Sequence, residues 1–108
     1  MTANGDSNKQ IWITEYGAPT GGPGVEAQIG NYELNSSPDH VDEALQAQML
    51  TEAVSVVQAQ PWIAAMFWYS YKDLGTDSST NENFFGLLRY DGSQKPAYAA
   101  FKEALATP

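Results

Sequence analysis

Cysteine is absent, histidine occurs once, and cations are scarce: five Lys and Arg stand against 13 Asp and Glu, a formal net charge of −8 over 108 residues. Without cysteine there is no disulfide framework, no thiolate nucleophile and no thiolate metal site. A single histidine, His40, leaves no zinc cluster and no Ser-His-Asp triad of the usual spaced kind. Scattered cations form no stripe that could neutralise phosphates, which excludes nucleic acid as a main partner, and anionic membrane surfaces with it. The longest apolar stretch, Ile63 to Tyr69, falls far short of the roughly 20 residues a membrane span needs. Residues 1–10 are polar and lack the basic start, apolar run and small-residue cleavage site of a signal peptide, so no export address is expected in this chain. Carboxylates are scattered through loops rather than convergent, and neither metal nor cofactor is expected.

What is present is 43% hydrophobic, enough for one soluble globular unit. Ile11-Trp12-Ile13-Thr14-Glu15-Tyr16, dense in β-branched and aromatic types and closed by Gly17, reads as a strand. Asp39 can cap a helix with Asp42 three positions on, and Val41, Leu45, Met49, Ala53 and Val57 follow at steps of four, predicting a helix over roughly 40–60 stopped by Pro61. Ile63 to Ser70 is nearly continuous in apolar residues, as in a strand buried on both faces of a parallel sheet. After a polar stretch, Phe84 to Tyr90 meets the turn Asp91-Gly92, and Lys95-Pro96 opens a last helix with Tyr98, Phe101 and Leu105 on one side. The order strand, helix, strand, helix implies the α/β class with parallel crossovers.

Both strand-to-helix connections are long, Gly17 to Pro38 and Lys72 to Lys95, whereas the return is only Pro61-Trp62. Long loops at the carboxyl ends of parallel strands are where α/β proteins place their sites, which directs attention to Glu15 and Trp68. Strict alternation puts Ile11, Ile13 and Glu15 on one face, Trp12, Thr14 and Tyr16 on the other. The same parity groups Ala64, Met66, Trp68 and Ser70, and leaves Ala65, Phe67 and Tyr69 facing helices. A carboxylate and an indole would then share one rim, where the first can attack an anomeric carbon and the second can stack on a sugar ring. The plainer readings are a strand-end ion pair for Glu15 and core packing for Trp68, Tyr69 and Tyr71. Lys72 can hydrogen-bond a ligand hydroxyl. His40 reads as a solvated residue in the first helical turn, Asp39, Asp42 and Glu43 as partners of the helix dipole, and Asp73, Asp77 and Glu82 as solubilising loop acids. Two parallel strands alone make a marginal sheet, so the chain reads as part of a larger one.

Residues 11 to 20, Ile-Trp-Ile-Thr-Glu-Tyr-Gly-Ala-Pro-Thr, closely resemble the seventh-strand signature of (β/α)8-barrel retaining glycoside hydrolases, the clan of cellulase-like family 5 and xylosidase-like family 39. Phe67-Trp68-Tyr69-Ser70-Tyr71-Lys72-Asp73 resembles their eighth strand, and Asn83 to Leu88 with Lys95-Pro96-Ala97-Tyr98 their closing segment. The resemblance covers about residues 10 to 106 and implies the last two βα units of a TIM barrel, preceded by a polar lead over residues 1–10. It makes Glu15 the nucleophile and Trp68 the aromatic wall of the adjoining sugar subsite; Tyr16 and Lys72 are read beside them as further substrate contacts. Retaining hydrolysis needs a second carboxyl about 5 to 5.5 Å away. In the clan that acid ends the fourth strand in an Asn-Glu pair, whereas the pair here, Asn81-Glu82, follows strand eight. The implied partners are a carbohydrate substrate and either the remainder of a barrel or further copies of the chain. Relatives are usually exported. A carbohydrate-binding remnant built on Trp68, Tyr16 and Tyr71 without catalysis, or an assembly piece, is the alternative.

Overall fold

The computed structural model describes residues 10–29 and 38–106, so the expected polar lead lies outside the described residues apart from Gln10, as does part of the first long loop. The elements are β1 (Ile11–Tyr16), β2 (Glu26–Ala27), β3 (His40–Val41), α1 (Glu43–Ala59), β4 (Ile63–Trp68), a short 3-10 turn (Asn81–Phe84) and α2 (Pro96–Ala106). The class is mixed α/β. β1 and β4 pair in parallel, as the long crossover through α1 requires.

Strand parity departs from strict alternation. The register runs Ile11↔Ile63, Trp12↔Ala65, Ile13↔Met66 and Tyr16↔Trp68, with one irregularity between Ile11 and Trp12 and another between Ile13 and Tyr16. β4 first advances two residues against one, then β1 advances three against two. These are two bulges, each of which flips the faces beyond it. Ile13, Tyr16 and Met66 consequently line a cavity with Ala53, Val56 and Val57 of α1, and Met66 and Trp68 pack on the helical core. The opposite, open face carries Trp12 and Phe67, 63% and 52% exposed, with ring centroids 6.2 Å apart. The inward grouping of Met66 and Trp68, and the helix-facing assignment of Phe67, are therefore corrected.

β4 also ends at Trp68 rather than Ser70. Tyr69 N still donates to Tyr16 O (2.9 Å), but the Tyr69–Ser70 peptide is cis and Ser70 N donates instead to Phe85 O (2.8 Å). The chain has left β1 for the returning loop. At the other side, α1 begins at Glu43, because Asp42 is the cap: its Oδ1 accepts from Leu45 N at 2.6 Å. His40 and Val41 are not helical but pair in parallel with Glu26 and Ala27. His40 is buried rather than solvated; its Nδ1 lies 2.6 Å from Asp39 Oδ1 and its Nε2 3.7 Å from Glu26. Asp39 sits before β3, away from the helix end, and also accepts from Gly24 N.

Helix packing is centred one step from the predicted stripe. Gln46, Leu50 and Val54 are the buried positions of α1, joined by Leu87 and Ala97, with Tyr98, Phe101 and Ala104 of α2 around them. The stripe through Ala53 and Val57 faces the sheet and is half-buried, because α1 gives its closest face to α2. Leu105 is 61% exposed, and Ala104 takes the core place expected of it. Leu50, wholly buried, contributes on the order of 2 kcal/mol by leaving water. The Asp91-Gly92 turn is closed by Gly92 N donating to Arg89 O, with Gly92 at φ 89°, a backbone state glycine adopts without penalty.

Candidate active site at the carboxyl ends of the parallel strands

Glu15 lies within the second bulge, between the paired residues Ile13 and Tyr16. A bulge re-aims the side chains it carries, and here it places a carboxylate at the sheet rim. Glu15, Tyr16, Gly17, Tyr69, Glu82 and Phe85 line one open cavity of about 210 Å³. Tyr69 follows the last residue of β4, and Phe85 meets it edge to face at 5.2 Å and 61°. Gly17 is required by close approach: a Cβ there would overlap the Tyr69 carbonyl oxygen.

Of the four residues singled out in the sequence, Glu15 and Tyr16 share this cavity. Trp68 does not: it packs, partly buried, against the cluster of Leu50, Val54, Leu87 and Ala97, touches Tyr16 edge to face at 5.8 Å, and buries its indole nitrogen without a partner among the described residues. The grouping of Met66 with Trp68 holds, but the face they share is the one the helices cover. Lys72 is exposed on the loop, bridged through its backbone to Leu88, and is not among the residues lining the cavity. The aromatic residues beside Glu15 are instead Tyr69 and Phe85. Tyr69 was within reach of the sequence, one position from Trp68; Phe85 comes from the returning loop, for which no local pattern gives a position.

The wall bearing Glu82 and Phe85 is tied down from beneath. Lys95 Nζ, 1% exposed, donates to Asp73 Oδ1 (2.8 Å), Thr20 Oγ1 (2.9 Å) and Phe84 O (3.1 Å), and Asp73 Oδ1 also accepts from Gly86 N (2.8 Å). Burial pushes the Lys95 ammonium below its ordinary pKa, and the hydrogen bond and charge of Asp73 oppose that shift. Asp73 is thus a buried ion-pair partner and not a solubilising acid. Gln46 Nε2 spans the same junction, donating to Ala18 O (3.1 Å) and Gly86 O (3.2 Å). Asn81 Nδ2 donates to Asp39 O (3.1 Å), and Thr20 N to Phe84 O (3.0 Å), so both long loops are fastened to each other. No group of three or more metal-ligating side chains occurs among the described residues.

No curated protein matches the chain. Solved structures do, as pieces of much longer glycosidases with the TIM-barrel fold. The match to a GH5_18 protein from Streptomyces cattleya in complex with GlcNAc has a TM-score of 0.60 at 24% identity, covering 90% of this chain and 20% of that one. For Ruminococcus gnavus β-glucuronidase the TM-score is 0.66 at 19% identity, over 99% and 17%. For a GH2 β-galacturonidase from Eisenbergiella tayi bound to glycerol it is 0.60 at 19%, over 90% and 17%. The chain spans a fifth or less of the length of these structures. The model of the glycosyl hydrolase catalytic core matches residues 2–101, and the chain belongs to that family.

Proposed function

We propose that this chain supplies the nucleophile half of a retaining glycosidase site, as strands seven and eight of a (β/α)8 barrel, and acts on O-glycosidic bonds of a poly- or oligosaccharide. The observation that carries this reading is the placement of Glu15: a rim carboxylate between aromatic side chains at the carboxyl end of a parallel strand, in a chain of the glycosyl hydrolase family. In double displacement the Glu15 carboxylate attacks the anomeric carbon as the leaving oxygen departs. Water then cleaves the glycosyl ester with net retention. Tyr69 and Phe85 offer the apolar surface on which the C–H face of the sugar rests. Lys95 and Asp73 hold the loop that presents Phe85, and act through it.

The general acid/base falls to barrel strands other than these two, so unactivated glycosides should not turn over on this chain alone. An aryl leaving group such as 2,4-dinitrophenolate departs without protonation, which isolates the first step. A 2-deoxy-2-fluoro glycoside with that leaving group should release about one equivalent of dinitrophenolate and leave a glycosyl adduct on Glu15, located by peptide mass spectrometry. Glu15→Gln should abolish the adduct. Labelling of another residue, or none, overturns the assignment. The exposed Trp12–Phe67 pair, on a sheet of two strands, favours a second role as the docking face for the remaining barrel strands.

A further inference from the structure

The cavity that holds Glu15 contains a second carboxylate, Glu82, contributed by the first turn of the 3-10 segment after β4. The backbone that carries Glu82 is anchored. Its backbone N–H donates to the capping Thr80 hydroxyl (3.2 Å), and the neighbouring Asn81 and Asn83 side chains bond to Asp39 O and Asp77 O, both at 3.1 Å. The other walls are Tyr16, Gly17, Tyr69 and Phe85, so among the described residues no lysine, arginine or histidine lines the cavity. The described cations are engaged elsewhere or stand apart: Lys95 on Asp73, Arg89 on Glu43, His40 on Asp39, Lys102 over the Tyr98 ring, and Lys72 on the exposed loop.

We propose that Glu82 sets the charge class admitted beside Glu15: the cleft takes neutral or amino-bearing glycosyl groups and rejects uronic acids. This deepens, and rests on, the reading of the cavity as a sugar site. A sugar carboxylate entering it would face two carboxylate side chains with no cationic side chain among the described wall residues, in a chain already at −8. Like charges that line one cavity repel, and specificity here comes from the unfavourable partner as much as from the favourable one. A neutral ring pays none of that cost while keeping the aromatic contacts.

The test is an amide NMR titration of the ¹⁵N-labelled chain with methyl β-glucoside and methyl β-glucuronide, which share a ring and differ at C6. The glucoside should move the amides of Gly17, Tyr69 and Phe85, with the glucuronide about tenfold weaker at low salt. Glu82→Gln, at an exposed position, should leave the spectrum folded and narrow that gap at least about threefold, while Glu82→Asp keeps it. Equal binding of the two glycosides, or a gap unchanged in Glu82→Gln, overturns the charge filter and leaves the sugar site standing. Absence of binding by either glycoside removes the sugar-site reading and the filter with it.

Discussion

Asp73 and Lys95 meet at 2.8 Å with side chains 5% and 1% exposed, and the ammonium also reaches Thr20 and Phe84. Neither partner can be removed alone without stranding the other's charge away from water. Asp73→Ala should lower stability by about 3 to 5 kcal/mol in urea unfolding, whereas removal of an exposed acid such as Asp77 should cost little. Lys95 was legible in the sequence only as the residue before a helix-opening proline, and Asp73 only as a loop acid. Burial of an ion pair is a product of tertiary packing and leaves no local mark. The rim position of Glu15 was legible, because a carboxylate closing a β-branched strand next to glycine is a local pattern. Trp68 misled for a physical reason: alternation groups it with Met66, but which face of the sheet the helices cover is settled by tertiary packing and leaves no local mark.

At the scale of elements, the two bulges explain both the success and the failure of period-two reading. The strand existed where its composition put it, and its direction followed from the crossover. The register offset is 52 at Ile11↔Ile63, 53 at Trp12↔Ala65 and Ile13↔Met66, and 52 again at Tyr16↔Trp68, so the two slips cancel along the strand. The small β2–β3 sheet was not legible at all, since two residues carry no period. It owes its hold to groups rather than pattern: Asp39 and Asp42 accept backbone N–H bonds from Gly24 and Ile29, and His40 sits between Asp39 and Glu26. The hydrogen bond from His40, ahead of the one from Gly24, holds the Asp39 carboxyl below its ordinary range. A depressed acid stabilises the fold above its unfolded pKa and loses that contribution as pH falls through the folded value. The contribution of Asp39 is thus complete above about pH 4 and disappears below it. Thermal unfolding of the native chain and His40→Gln should therefore differ at pH 7 by more than at pH 3. Parallel pH profiles would remove His40 as the cause.

For the whole molecule, the core lies on one side of the sheet only. Helices α1 and α2 cover the face of Met66 and Trp68, while Trp12 and Phe67 stand open and each strand has one edge unpaired among the described residues. Parallel sheets are ordinarily covered on both faces. Light scattering on the isolated chain should accordingly show association through the open face that dilution reverses. A sharp two-state melt from a monomer would show that one covered face suffices, and would count against the docking role of the other.

The open face also gives the molecule an optical asymmetry. Trp68 is lodged in the helical core, while Trp12 looks onto water beside Phe67. An indole emits at longer wavelength when water relaxes around its excited state, so the chain's fluorescence is a composite of one partly buried indole, Trp68, and two exposed ones, Trp12 and Trp62. Whatever closes over the sheet must dry Trp12 and leave Trp68 as it was. The completed barrel, or any stand-in for it, would announce itself as a blue shift confined to one tryptophan, without a dye or a tag.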